Sequence, residues 1–166
     1  MTDKKLRENP RDFLFALLRE CPAGMLGVDG SAQHMQPMTH FTDDEAIELW
    51  FITSISTDLV RAVGQGARAQ YCLIDKGQDA YACLAGTLEQ VQDDARLDAL
   101  WSPMVAAWFD KGRDDPKLSL LRLTIAEASL WSSDENALKV GFEIARANLA
   151  AEARPDLGDH VVIRFT

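Results

Sequence analysis

The side chains with the widest chemical reach in this chain are three cysteines, Cys21, Cys72 and Cys83, and three histidines, His34, His40 and His160. A zinc centre needs such ligands at short, repeated spacings or one helical turn apart, and neither arrangement occurs. Cys72 and Cys83 lie in apolar runs, where a cysteine behaves as a small buried thiol. An odd number of cysteines without ligand spacing reads as free thiols in a reducing cytoplasm. Gly-x-Ser-x-Gly, Gly-x-Gly-x-x-Gly and Gly-x-x-x-x-Gly-Lys are all missing, so the common hydrolase and nucleotide signatures are excluded. The remaining signals are softer. Pro37 and Gly86 sit in β-rich segments, where a lost N–H or a lost side chain marks an edge, a bulge or the close approach of a ligand. Thr57 heads a short helix, as a cap or as a ligand to a phosphate. No general acid, base or nucleophile constellation stands out, and redox chemistry, if present, would come from a cofactor.

The elements that must position these residues can be read in order. Asn9 caps a helix of about residues 10–20 that starts at Pro10 and carries Phe13, Leu14, Leu17 and Leu18 on one face. A strand at 25–28 runs into Asp29-Gly30, a hairpin signal, with its partner at 34–41. A turn at 42–45 precedes a strand at 47–53. Thr57 then caps a helix over 58–63 that ends at Gly64. Strands at 68–75 and 80–91 follow, the second interrupted by Gly86. Asp93 or Asp94 caps a helix at 95–100, which Trp101-Ser102-Pro103 interrupts before a second helical segment at 104–109. If the kink at Pro103 permits, that places Trp101 and Trp108, seven apart, on one face. A strand over 118–125 and 128–131 bends near Ala126-Glu127. A final helix spans about 136–153, and residues 161–165 read as a last short strand or an unstructured tail. Strands joined mostly by short turns favour an antiparallel barrel with helices at its ends over a parallel sheet.

A chain of 166 residues fits one domain, here residues 1–166 as a whole, with 47% apolar and 26% charged residues. Its 17 basic against 26 acidic residues leave a net charge of −9, which disfavours a nucleic-acid partner. The polar start and the lack of a long apolar run disfavour a signal peptide and a membrane span.

Taken in order, several short motifs resemble the general stress protein branch of the pyridoxamine 5′-phosphate oxidase-like, FMN-binding split-barrel family. They are Gln36-Pro37-Met38, Leu49-Trp50-Phe51-Ile52-Thr53-Ser54, Gly86-Thr87-Leu88-Glu89 and Leu100-Trp101-Ser102-Pro103-Met104, with Ala107-Trp108-Phe109, Asp114-Asp115-Pro116, Leu120-Leu121-Arg122-Leu123 and Trp131. The resemblance runs from about Arg11 to Ala150. It implies a mainly β, antiparallel split barrel working as a homodimer, with two flavin sites at the subunit interface. It implies FMN as the cofactor, with FAD or riboflavin as variants, and an oxidoreductase activity. It places Gln36, Pro37, Met38 and Thr39 along the flavin ring, Ile52, Thr53, Ser54, Thr57 and Asp58 toward the ribityl chain and phosphate, and Tyr81 on a ring-contacting strand. Trp131 would border the flavin from the partner subunit.

This chain departs from the family where charge matters. Gln36, Asp58, Leu59 and Ala137 stand at positions that are commonly basic. Charge-assisted hydrogen bonds contribute about 1.5–3 kcal/mol each. Losing two would therefore weaken a bound phosphate by about two to four decades. Arg61 and Lys139 are the candidate substitutes, and Asp58 competes for Arg61 at the i, i+3 spacing. Two readings follow: a flavin protein, or a non-catalytic split-barrel dimer whose altered site takes another small ligand or a protein partner.

Overall fold

The start signal at Asn9-Pro10 works as the sequence predicts. In the computed structural model, which describes residues 3–133 and 158–165, a short helix α1 (Asp3–Glu8) leads into α2 (Pro10–Glu20). The Asn9 side chain accepts from the Asp12 amide at 3.2 Å, and Phe13, Leu14, Phe15, Leu17 and Leu18 are buried.

Eight strands follow: β1 (Ala23–Val28), β2 (Gln36–Thr39), β3 (Phe41–Asp43), β4 (Glu48–Ser54), β5 (Ala67–Ile74), β6 (Ala80–Val91), β7 (Leu118–Ser133) and β8 (Gly158–Arg164). Their pairings are all antiparallel, in the order β2-β1-β5-β6-β7-β4-β3, with β8 added to β7. The two ends of that order, β2 and β3, are separated in sequence by His40 alone. Opposite edges joined by one residue force the sheet to curl on itself, which makes it a split barrel.

The expected single strand at 34–41 is therefore two strands. Its break comes at His40, whose ring is buried between α2 and β5. His40 Nε2 donates to the Leu18 carbonyl at 2.9 Å and Nδ1 meets the Tyr71 hydroxyl at 2.6 Å. The tight hairpin at Asp29-Gly30 is also relaxed. Gly30 turns with φ 73°, but the Asp29 amide bonds to the Arg68 carbonyl at 2.9 Å. β1–β2 pairing starts only at Leu26 opposite Gln36, while on its other edge β1 stays paired with β5 out to Val28. Pro37 lies on β2, an edge of the sheet, where its missing N–H costs no ladder bond.

β7 organises the rest. One edge pairs with β6 along its length, while the other takes β4 at its first half and β8 at its second. The changeover coincides with the predicted bulge. Ala85 faces Glu127 and Gly86 faces Ile125, which leaves Ala126 as the extra residue. Gly86 is required there, since a Cβ on it would lie 2.0 Å from the Thr124 carbonyl oxygen.

Inside the curl, α1 and α2 and the short helix α3 (Asp58–Val63) meet Leu49, Phe51, Tyr71, Leu84 and Leu121 in the main core. On the outside of β4 and β7, the helix α4 (Asp94–Leu100) sets Leu97 against Trp50 and Leu120, with Ile52, Val91 and Trp101 around them. Asp93 caps α4, accepting from the Arg96 amide at 2.8 Å. Arg96 in turn lies 4.8 Å over the Trp50 ring and pairs with Asp43 at 2.7 Å. The second helical segment is shorter than expected, α5 (Pro103–Ala106). Trp101 is extended and Ser102 caps afresh, so the helical register is lost. Trp108 ends 83% exposed, away from the face that holds Trp101. The helix expected at 136–153 lies outside the described residues. Among those described, no helix is long and apolar enough to cross a membrane.

Candidate functional site

The residues singled out by sequence fall into three places. The first is the β2 edge, where Gln36 and Met38 are half-buried and Pro37 and Thr39 exposed. The Met38 carbonyl accepts from the Tyr71 hydroxyl at 3.0 Å, which ties this edge through Tyr71 to His40 and α2. Burial holds the His40 imidazole below its ordinary pKa, so the ring is neutral near pH 7. With Nε2–H given to Leu18, Nδ1 is left to accept. The Tyr71 proton is then shared between Nδ1 and the Met38 carbonyl.

The second place is the turn from β4 into α3. Ser54 and Ser56 hydroxyls are 2.9 Å apart. Thr57 donates to the Ser54 carbonyl at 2.9 Å and accepts from the Val60 amide at 3.3 Å. The threonine is therefore a helix cap, as its spacing predicts. Asp58 is exposed and ion-paired with Arg61, and Arg61 also donates to the Ser56 carbonyl at 3.0 Å. Leu59, by contrast, is only 3% exposed and packs in the main core. Of the two positions read as replacing a basic pair, only Asp58 faces outward. Ala137 and Lys139 lie outside the described residues. Ile52 turns toward Trp50 and Leu120 in the outer cluster, while Thr53, opposite Ser119, is half-buried.

The third place is the outer face of the sheet. Successive ladders put Ile74 opposite Tyr81, Tyr81 opposite Trp131, and Trp131 opposite His160. Side chains on one face of paired strands form a continuous row. The Trp131 and His160 rings stack at 4.8 Å and 10°, and Ser129 hydrogen-bonds His160 Nε2 at 2.7 Å. The Tyr81 hydroxyl donates to the Gln78 carbonyl at 2.8 Å. A neighbouring row runs Pro37, Met25, Cys72, Cys83, Ser129 and Val162. Met25, Ile74, Trp131 and Val162 are all exposed. Together they form an apolar surface that a flat conjugated ring, or another protein face, would fit.

Sequence reasoning missed His160 as the stacking partner of Trp131. The weak alternation at 161–165 was its only trace, and nothing local fixes which strand the tail joins. It also missed that Pro37 shares an outer face with Tyr81 and Trp131.

Two of the clefts among the described residues are large enough to hold a small ligand. One, about 380 Å³, is lined by residues 90–94, 97, 113–115 and 118–120. The other, about 370 Å³, is lined by residues 28–33, 61, 62 and 67. None of the expected flavin contacts lines either cleft, and the second is reached only by Arg61. The described residues thus offer a wall for a ring and a polar turn for a chain end. Among the described residues no cluster of three His, Cys, Asp or Glu could hold a metal ion.

Comparison with known proteins supplies the context for this geometry. The model of the family described as pyridoxamine 5′-phosphate oxidase like matches residues 9–156. Among solved structures, a general stress protein 26 from Jannaschia sp. CCS1 is 36% identical, with 93% of this chain and 99% of that one covered at a TM-score of 0.71. A general stress family protein from Xanthomonas campestris pv. campestris is 38% identical over 82% of this chain and 93% of that one, at a TM-score of 0.69. The general stress FMN/FAD binding protein of Xanthomonas citri is 37% identical over 78% of this chain and 92% of that one, also at 0.69. Among curated proteins there is no match at the same level of significance.

Proposed function

This chain belongs to the pyridoxamine 5′-phosphate oxidase-like family, and from that premise we propose that it is a flavin-binding general stress protein acting as a homodimer. The observation that carries the proposal is the row of exposed Ile74, half-buried Tyr81 and exposed Trp131, set on the same outer face as Pro37 of β2. An aromatic wall that the described residues leave open suits a site completed by a second copy, whose approach would bury Met25, Ile74 and Val162 as well. The flavin binding of the relative from Xanthomonas citri supports the same reading.

The residues fit the parts of a flavin unequally. Trp131 and Tyr81 suit the ring, and the β2 backbone suits its polar edge. Ser54, Ser56 and Thr57 suit the ribityl chain and phosphate as neutral hydrogen-bonding groups. Among the described residues Arg61 is a cation at that end, and it is shared with Asp58. A phosphate therefore has to draw Arg61 from a carboxylate, which weakens its hold. Flavin bound there would supply hydride or electron transfer. The protein's part is to orient the ring, exclude water from its face and hold its tail.

An absorption spectrum of the freshly purified protein, followed by titration with FMN, FAD and riboflavin, tests the proposal. Flavin bands in the purified protein, or micromolar quenching with a raised melting temperature, support it. Unchanged flavin fluorescence and melting temperature at saturating ligand would remove it. The Asp58–Arg61 pair favours a second reading, in which the barrel dimer takes a ligand without a phosphate. Riboflavin bound as tightly as FMN is its signature.

A further inference from the structure

Cys72 and Cys83 are eleven positions apart in sequence, and the β5–β6 register sets them directly opposite one another. Their sulfur atoms are 3.4 Å apart, closer than two unrelated side chains need to be. Antiparallel pairs alternate between hydrogen-bonded and non-hydrogen-bonded, and the second kind brings Cα atoms to about 4.5 Å. Asp75, facing Ala80, sends its amide to the Ala80 carbonyl at 3.1 Å, which makes that pair a bonded one. Counting back, Ile74–Tyr81 is non-bonded, Leu73–Ala82 bonded and Cys72–Cys83 non-bonded. That spacing falls within the window a disulfide spans, about 4.4–6.8 Å between Cα atoms. Both side chains are half-buried on the outer face.

We propose that Cys72 and Cys83 form a reversible dithiol–disulfide site that is oxidised by low-molecular-weight disulfides. The Cys72 thiol donates to the Cys83 sulfur, and Cys83 donates to Gln70 Oε1 at 3.7 Å. Either thiolate could accept from the other's S–H, so the hydrogen bonds leave the pair symmetric, and it is burial, which resists ionising Cys72, that separates the two. Cys83 is therefore the attacking sulfur and Cys72 the resolving one. Burial and the neighbouring Cys83 push the Cys72 thiol up to about 12. Deprotonated Cys83 attacks one sulfur of the reagent, the reagent's S–S bond breaks, and a mixed disulfide forms as the first reagent thiol leaves. Cys72 then gives up its proton and attacks the Cys83 sulfur, releasing the second reagent thiol. The two cysteine protons end on the two released thiols, and the two electrons removed from the pair reduce the reagent. Cys21 takes no part. It is buried, and its thiol donates to the Ile74 carbonyl at 3.6 Å on a different side of the sheet.

The site requires no flavin, but it lies in the row from Met25 to Val162 that the homodimer proposed above would cover. The reaction is therefore followed at a concentration where sedimentation shows monomer and again where it shows dimer: reaction in both supports this inference and counts against that dimer face, reaction of the monomer alone supports both readings, and an unreactive monomer overturns this one. Oxidised glutathione is added to the full, folded chain without flavin, and free thiols and intact mass are followed under non-denaturing conditions. The three thiols should fall to one, with a mass lower by two hydrogens and migration as a monomer on a non-reducing gel. Dithiothreitol should restore all three. In Cys72→Ser the reaction should stop at a stable glutathione adduct on Cys83, and in Cys83→Ser it should slow at least about tenfold. Disulfide-linked dimers as the main product, equal rates for the two variants, or thiol loss only after adding urea would each overturn the proposal. Circular dichroism on the variants separates a lost reaction from a lost fold.

Discussion

The two halves of β7 share one backbone and one partner strand, β6, yet stand in opposite surroundings. In the first half, Leu120 packs outward on Trp50 and Leu97 while Leu121 packs inward on the main core. In the second half, Leu130 is buried inward but its neighbour Trp131 is 38% exposed outward. The difference arises at the Gly86–Ala126 bulge, where α4 covers one side and nothing described covers the other. Packing on both faces gives the first half its stability. The outer face of the second half, uncovered by the described residues, is the surface proposed for a ring or a second subunit. Fold stability and candidate function thus occupy adjoining stretches of one strand.

Substitutions can break this contrast. Phe51→Ala, on β4 opposite Leu121 of the doubly covered half, removes a fully buried ring and should cost about 3–5 kcal/mol in urea unfolding. Trp131→Ala should cost no more than about 1 kcal/mol in the same assay. It should nevertheless weaken flavin binding, or shift the dimer toward monomer in sedimentation, by at least about tenfold. If Trp131→Ala unfolds the chain as badly as Phe51→Ala does, the contrast is wrong. The electrostatic end can be sharpened next. Asp58→Arg combined with Gln36→Arg should tighten FMN about tenfold or more, as one added charge-assisted contact accounts for that. Riboflavin, lacking the phosphate, should bind unchanged, and an FMN titration without tightening would mean that this turn does not face the phosphate.

The smallest effect concerns the seam. His40 is held neutral by burial, with its folded pKa below the unfolded value near 6.5. Above that value neither state takes the proton and the stability is fully present. As pH falls below it the unfolded chain gains a proton that the folded one resists, so stability drops by up to about 1.4 kcal/mol per unit. Chemical denaturation at pH 7.5 and pH 5.5 should show the decline, and His40→Gln should flatten it.

Much of the local architecture was legible. Asn9-Pro10, Thr57 and Asp93 each cap the helix that their side chains and spacing foretell. Gly86 and Ala126 mark the bulge from both strands. Less of the candidate site was. The competition of Asp58 for Arg61 follows from helical spacing and was foreseen, whereas the burial of Leu59 beside it was not, because a short helix does not announce which side meets the core. Trp108 was misplaced because a capping serine restarts the helix and resets its phase.

Residue order along the chain determined the helix starts, the turns, the bulge and, through a string of short motifs, the family. It could not determine which strands lie at opposite ends of the sheet and meet at His40, that Cys72 faces Cys83, or that His160 returns to stack on Trp131. Caps and turns are settled by bonds within a few residues. Registers between distant strands are settled only when the whole sheet curls, since each pairing depends on every other closing at once.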